Sequence, residues 1–200
     1  RFNPELTPPL FPNYTVHTLP FPSQWMQTRF ARAMFRTQPE KIFFPVQAVP
    51  VFLPSASEVT ITVHDLAWKH YPETFTPKTR FKLNFLLERA VQRANKIVAV
   101  SEATKKDLLH FFPALPPEKV RVIHHGFDQA RFSVPVPEKE KLEILTHYGL
   151  RDQQYILYVG ALQPRKNLVR LIEAFGILKH TAPEAILVLA GERAWLSDPI

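Results

Sequence analysis

Cysteine is absent from this 200-residue sequence. The absence excludes disulfide bonds, thiolate metal sites and a cysteine nucleophile, and it is typical of proteins that stay in a reducing compartment. The sequence also lacks a run of about 18 apolar residues and a signal-peptide core, so we expect neither a membrane span nor an export signal in it. Because it begins with Arg1 rather than methionine, we expect the natural amino terminus to lie upstream.

Glycine is scarce, with five residues, whereas proline is abundant, with 20. Half of the prolines fall in residues 1–54, which predicts a loop-rich stretch with one helix over residues 24–37. With 46% hydrophobic and 22% charged residues, the sequence as a whole has the composition of a globular protein.

The net charge of +7 is concentrated in the first part of the sequence. Residues 1–130 hold 16 Lys and Arg against 10 Asp and Glu, a net +6, whereas residues 131–200 hold 9 against 8, a net +1. Such an excess suits a nucleic acid, an anionic membrane surface or a phosphorylated substrate, and composition does not choose among them.

Beyond residue 54, apolar runs alternate with helical patterns, which predicts α/β units with parallel sheets. The predicted strands cover residues 59–63, 97–100, 120–123, 155–159 and 185–190, and the main predicted helices cover residues 80–94, 102–112 and 167–179. The segment SVPVPEKEK is rich in proline and charge and leads into a short helix. We therefore predict a domain over residues 1–130 and the start of a second domain over residues 131–200.

Small or polar residues follow each of these strands. They are His64 and Asp65, then Ser101 and Glu102, then His124, His125 and Gly126, then Gly160, and finally Gly191. In open parallel sheets, ligands bind beyond the carboxyl ends of the strands. These residues are therefore the first candidates for a functional site.

Two cations stand where a helix begins. The segment after Gly160 reads ALQPRKN and leads into the helix predicted over residues 167–179. Arg165 and Lys166 oppose the helix dipole there, at a cost of about 0.3–1 kcal/mol each. A bound phosphate or diphosphate would reverse the effect, because the helix amides and both cations would converge on it. On the residues alone, the alternative that both side chains point to solvent is equally open.

Four motifs occur in one order along the sequence: TVHDLAWKHYPE, VAVSEATKKDL, VRVIHHGFD and YVGALQPRKNLVRLIEAF. Over about residues 40–195, they resemble segments of bacterial members of glycosyltransferase family 4. The resemblance implies a GT-B fold of two Rossmann-like domains, both incomplete in this sequence. It also implies acceptor binding by the first domain, donor binding by the second, and chemistry in the cleft between them.

The resemblance further implies retaining transfer of a sugar from a nucleoside diphosphate sugar to a hydroxyl of a polysaccharide or lipid-linked glycan. Lys166 matches the lysine that contacts the donor diphosphate, and Gly160 matches the glycine that lets the phosphates approach. Ala161 stands where many members carry arginine, and Arg165 is the candidate to supply that charge. His64 matches a histidine that reaches the transferred sugar, and Asp65 is expected to orient the loop.

Four residues are secondary candidates for the cleft. They are Ser101, Glu102, His125 and Gly126. A serine N-cap followed by an acidic first turn is a sufficient structural explanation for the first two. His124 and His125 have no further ligand at metal-binding spacing, and the resemblance implies no metal, so we expect neither a metal nor another cofactor.

The predicted helix over residues 24–37 has a basic arc beside an apolar one. The basic arc holds Arg29, Arg32 and Arg36, and the apolar arc holds Met26, Phe30, Ala33 and Met34. This pattern suits peripheral docking on the anionic inner face of the plasma membrane, although packing of the apolar arc on the domain core, with the arginines solvated, is the favoured interpretation. We expect a cytoplasmic protein and, since no nucleic-acid-binding motif occurs, no nucleic acid partner.

Two family elements are not seen in the sequence. The paired glutamates that bind the donor sugar and ribose in relatives are expected downstream of Ile200, and the glycine-rich loop is expected upstream of Arg1. Together with Ala161, they leave a second hypothesis open beside the enzyme, namely a noncatalytic module that binds a sugar nucleotide or phosphate.

Overall fold

The computed structural model describes residues 24–151 and 153–193, together with residues 13, 15–17 and 19. It forms two compact units. The first unit holds the described residues up to His70 and Pro77–His125, and the second holds Tyr71–Thr76 and the described residues from Gly126 onwards. The domain ranges 1–130 and 131–200 stay a prediction, and part of the loop-rich stretch lies outside the described residues.

A parallel sheet of four strands, in the order β1-β2-β3-β4, forms the centre of the first unit. The strands are β1 (Lys41–Phe44), β2 (Glu58–Val63), β3 (Lys96–Ala99) and β4 (Val120–Val122). In the register of the sheet, Ile61 of β2 is paired with Phe44 of β1 and with Ile97 of β3. Parallel pairing confirms the predicted α/β class.

Helices precede and connect these strands. They are α1 (Ala31–Thr37), α2 (Ala67–His70), α3 (Pro77–Arg93) and α4 (Glu102–Phe111), with 3-10 turns at Pro72–Thr74 and Pro117–Lys119. The helix predicted over residues 24–37 forms, although its first part, Met26–Phe30, is a π-helix. α3 links β2 to β3, and α4 links β3 to β4, as expected for parallel strands.

The core of the first unit lies around β2. Val59, Ile61 and Val63 of this strand are fully buried, as are Leu87 of α3 and Leu108 of α4. Helices cover both faces of a parallel sheet, so its strands have continuous runs of β-branched and aliphatic residues. The sequence predicts β2 well for this reason.

The second unit contains the parallel pair β5 (Tyr155–Val159) and β6 (Ile186–Ala190). Its helices are α5 (Gln129–Ser133), α6 (Glu138–His147) and α7 (Leu168–Leu178), and a 3-10 turn covers Pro164–Lys166. Leu168 is the buried residue of α7, whereas the rest of its apolar stripe is partly or largely exposed. Within the described residues, no helix combines the length and apolar character needed to cross a bilayer.

Candidate functional site

His64 follows β2 and is fixed by contacts from three directions. Its backbone N–H donates to Gln47 Oε1 at 3.0 Å, and its carbonyl oxygen accepts from the Thr104 hydroxyl at 3.1 Å. Its ring Nε2 lies 2.9 Å from the Pro45 carbonyl oxygen. Because a carbonyl oxygen only accepts, Nε2 carries the proton, and Nδ1 is the acceptor when the ring is neutral.

His125 lies beside His64. The two imidazole rings are stacked, with centroids 5.3 Å apart and planes 17° from parallel. Nδ1 of the neighbouring His124 lies 3.2 Å from the Val100 carbonyl oxygen. The structure therefore brings two of the sequence-predicted candidates together on one exposed edge of the sheet.

Asp65 has a local structural contact. Its Oδ1 accepts a hydrogen bond from the Ala67 N–H at 3.1 Å, where α2 begins. A short acidic side chain that bonds to the backbone two residues on closes an Asx turn. This contact supports the loop-orienting role expected of Asp65.

Ser101 is the N-cap of α4, as the sequence predicts. Its Oγ accepts from the Thr104 N–H at 3.1 Å and lies 2.9 Å from the Thr104 hydroxyl. Glu102 is exposed in the first turn. Ser101 thus helps to position the threonine that bonds to His64, and that contact is its link to the candidate site.

Gly126 has no steric need to be glycine. A Cβ built on it would meet no atom within 4 Å, and its φ is not among the positive ones of the described backbone. Sequence reasoning missed Pro45, Gln47 and Thr104, which hold His64.

At the carboxyl ends of β5 and β6, two glycines allow the backbones to come close. The Gly160 N–H donates to the Ala190 carbonyl oxygen at 2.9 Å, and the φ of Gly160 is +153°. A Cβ on Gly191 would lie 1.9 Å from the Gly160 carbonyl oxygen, which no side chain can tolerate. Packing of the strand ends is therefore sufficient to explain Gly191.

The turn after Gly160 leads into α7. Lys166 N–H donates to the Gln163 carbonyl oxygen at 3.0 Å, and Asn167 takes a left-handed conformation with φ of 55°. No side chain caps the amino terminus of α7, and Arg165 and Lys166 are exposed beside it. A helix amino terminus without a side-chain cap, beside two exposed cations, is an arrangement that attracts anions.

A metal site is not evident in the described part of the chain. No group of three or more His, Cys, Asp or Glu residues there is placed to hold a metal ion. The expectation that the protein needs neither a metal nor another cofactor stays a prediction.

Two models of known protein families together match nearly the whole chain. The family model of "Glycosyltransferase Family 4" matches residues 7–131. The chain belongs to this family. A second model, "Glycosyl transferases group 1", matches residues 141–199. His64 and its contacts fall in the family 4 part, and Gly160 and Lys166 fall in the group 1 part. The parallel α/β units of both parts are of the Rossmann-like kind found in the GT-B fold.

Curated relatives of this family 4 chain are named glycosyltransferases. O-antigen chain mannosyltransferase B of Escherichia coli is 29% identical over 150 residues, covering 74% of this chain and 38% of the relative. O-antigen chain mannosyltransferase RfbU of Salmonella typhimurium is 31% identical over 121 residues, 60% of this chain and 30% of the relative. An alpha-maltose-1-phosphate synthase of Mycolicibacterium smegmatis is 28% identical over 111 residues, 54% of this chain and 28% of the relative. The chain spans about a third of the length of these relatives.

Proposed function

We propose that this family 4 protein transfers a glycosyl group from a nucleoside diphosphate sugar to a hydroxyl acceptor and retains the anomeric configuration. The observation that carries the proposal is the amino terminus of α7. It has no side-chain cap, it follows Gly160, and it bears Arg165 and Lys166 within the segment matched by the group 1 model. A diphosphate fits this terminus, because phosphate oxygens accept from helix amides and pair with both cations.

The reaction breaks the bond between the anomeric carbon and the diphosphate oxygen. The acceptor hydroxyl oxygen bonds to the same carbon from the same face, and its proton passes to the departing diphosphate. Negative charge grows on the diphosphate during this step, so pre-positioned cations and amides stabilise the transition state more than the bound donor. In this proposal Lys166 and Arg165 supply that stabilisation, without a covalent enzyme intermediate or a metal.

His64 is the proposed contact to the transferred sugar. Its hydrogen bonds to Pro45, Gln47 and Thr104 support this role, because a ring that is already oriented loses little freedom when a sugar hydroxyl binds. The ring then offers Nδ1 as an acceptor. Asp65 has the supporting role of holding the loop that carries His64.

A glycan or lipid-linked acceptor at the cytoplasmic face of the membrane completes the proposal. The names of the two O-antigen chain mannosyltransferases support a polysaccharide precursor as the acceptor. The sugar and the base of the donor are left to experiment.

Replacing Lys166 with alanine tests the donor site. We expect Lys166→Ala to weaken nucleoside diphosphate binding by about 1.5–3 kcal/mol, the size of a lost hydrogen bond to a charged group. Isothermal titration calorimetry of the complete gene product measures the change. Arg170→Ala is the matched control, because Arg170 is an exposed cation in α7, four residues after Lys166. Equal affinities for wild type and Lys166→Ala would remove Lys166 from the site.

One observation favours a second function. Ala161 removes a cation that many family members place directly after the glycine, which would suit a noncatalytic module that binds a sugar nucleotide or phosphate. Nucleoside diphosphate binding without turnover of any donor would identify such a module.

A further inference from the structure

The segment that begins with His64 is attached to α4 at both of its ends. At the first end, the Thr104 hydroxyl donates to the His64 carbonyl oxygen at 3.1 Å. At the other end, His70 Nε2 lies 2.9 Å from Asp107 Oδ1. Thr104 and Asp107 are three positions apart in the helix, so they lie on the same face of α4. Residues 64–70 are called the His64 segment below, and Thr104 and Asp107 are called the α4 clamp.

The contact between His70 and Asp107 does not depend on the charge of the imidazole ring. Because an ionised carboxylate only accepts hydrogen bonds, Nε2 of His70 carries a proton and donates it in the neutral ring as well as in the charged one. The two side chains are 43% and 29% exposed, and the Phe111 ring lies edge-on to His70 with centroids 5.3 Å apart. Partial shielding from water strengthens a hydrogen bond to a charged group, so this end of the segment is firmly held.

The short helix α2 needs contacts at its ends because it has a single turn. It covers only Ala67–His70, and a helix of this length does not form by itself, since nucleation costs more than so few hydrogen bonds return. Its first end is held by Asp65 Oδ1, which accepts from the Ala67 N–H at 3.1 Å. Its last residue is His70. Because the helix has one turn, fraying that starts at His70 reaches the loop of His64 and Asp65.

The middle of the His64 segment is packed into the first unit. Leu66 is 1% exposed and Trp68 is 3% exposed. Trp68 Nε1 also donates to Asn84 Oδ1 of α3 at 2.9 Å. The segment is therefore anchored in its middle when a contact at one end is removed. For this reason we expect loss of a clamp contact to change the orientation of the His64 ring rather than to unfold the unit.

We propose that Asp107 and Thr104 are positioning residues for glycosyl transfer. Asp107 acts through His70 and Thr104 acts directly on His64, and neither clamp residue touches a substrate. The proposal rests on the proposed contact between His64 and the transferred sugar. Both clamp residues belong to the motif VAVSEATKKDL, and both residues that they hold belong to the motif TVHDLAWKHYPE. The clamp therefore gives a physical reason for the presence of these two motifs in one chain.

Nuclear magnetic resonance of the histidine rings tests the clamp in the complete gene product without any donor. In the wild type, the His64 ring is held with its Nε2 2.9 Å from the Pro45 carbonyl oxygen. We expect Asp107→Ala and Thr104→Val each to move the ring ¹⁵N resonances of His64 towards those of a free imidazole. Glu88→Ala, which removes an exposed carboxylate on α3, is the matched control and should leave them in place. Unchanged His64 resonances in Asp107→Ala would overturn the proposal.

Kinetics of the same variants measure the effect on transfer. Asp107→Ala should lower kcat by about tenfold, as when a substrate-positioning group is slightly misplaced, and should leave nucleoside diphosphate affinity near that of the wild type. Asp107→Asn should recover most of the loss, because its amide oxygen still accepts from His70 Nε2. Circular dichroism checks that each variant is folded. A loss of nucleoside diphosphate affinity as large as the loss of kcat would indicate a general structural role and would contradict the proposal.

A double-mutant cycle decides whether Asp107 acts through His64. When His64→Ala is already present, Asp107→Ala should cause no further loss of kcat, because the group that it positions is gone. If the two losses multiply in the double variant, Asp107 acts by another route and the proposal fails. Wild-type protein that turns over no donor would contradict the proposed function instead, and the ring resonances of His64 would still decide whether the clamp orients this residue.

Discussion

Three hydrogen bonds from two segments, the loop after β1 and α4, hold His64, the best-defined candidate residue in the described part of the chain. Gln47 binds its N–H, Thr104 its carbonyl oxygen and Pro45 its ring Nε2. Each contact fixes a different part of the residue, and stacking on His125 restricts the ring further. A side chain that is already oriented loses little conformational entropy when a substrate binds to it. This property is expected of a residue that positions a substrate.

Replacing His64 separates sugar contact from diphosphate binding. We expect His64→Ala to lower kcat by about 100-fold, as when one pre-oriented hydrogen-bonding group is removed, while nucleoside diphosphate affinity stays close to wild type. Steady-state kinetics and calorimetry of the complete gene product measure the two effects. His125→Phe is the control, because phenylalanine keeps a ring stacked beside His64. A loss of nucleoside diphosphate affinity as large as the loss of kcat would assign His64 to another part of the donor.

The rule that ligands bind at strand ends predicts some of these residues and misses others for a clear reason. It selects His64 and His125 because they follow the runs at residues 59–63 and 120–123, which the sequence predicts as strands. The rule misses Gln47 because this residue follows β1, a strand that the sequence did not predict. The rule misses Thr104 because a threonine inside a helix usually occupies a packed or solvated position. Its hydrogen bond to His64 also joins residues that are 40 positions apart in the sequence.

At the scale of elements, strand prediction succeeds where the sequence contains a short apolar run. The ends of β2, β3, β4 and β6 lie within one residue of the predictions, and β5 matches its prediction. β1 has four residues and lies between Pro39 and Pro45, in a stretch whose composition favours loops. It becomes a strand because the free edge of β2 offers parallel hydrogen bonds, and that tertiary effect leaves little trace in a short sequence.

An ion pair between two strands gives the fold a measurable pH dependence. Lys96 Nζ of β3 lies 2.5 Å from Glu58 Oε1 of β2. The hydrogen bond from Lys96, and then its positive charge, hold the pKa of Glu58 below its ordinary value. A carboxyl group with a lowered pKa in the folded state stabilises the fold above the unfolded pKa, and this contribution is lost as pH falls through the folded pKa.

We therefore expect Glu58→Gln to lower the Tm by a few degrees at most at neutral pH, since both side chains are partly exposed. The difference from wild type should vanish as the pH falls below the ordinary Glu range. Thermal denaturation followed by circular dichroism over a pH series measures this. Glu118→Gln, on an exposed 3-10 turn, is the control. A difference that persists unchanged at acidic pH would contradict the role of the Lys96 pair.

At the scale of the whole molecule, two sets of candidate residues lie in two segments that match glycosyltransferase families. The family 4 and group 1 models follow each other along the chain, and each contains one set of candidate residues. Sequence motifs predicted this assignment, because four motifs in order are specific even though each alone is weak.

The most direct test of the central claim is a donor screen with the complete gene product. Purified enzyme is incubated with a panel of nucleoside diphosphate sugars, and release of the nucleoside diphosphate is measured with and without a glycan acceptor. The account predicts that at least one donor is turned over, that Lys166→Ala and His64→Ala both lower the rate, and that Arg170→Ala leaves it near wild type. Turnover of no donor, or turnover that both variants leave unchanged, would contradict the account.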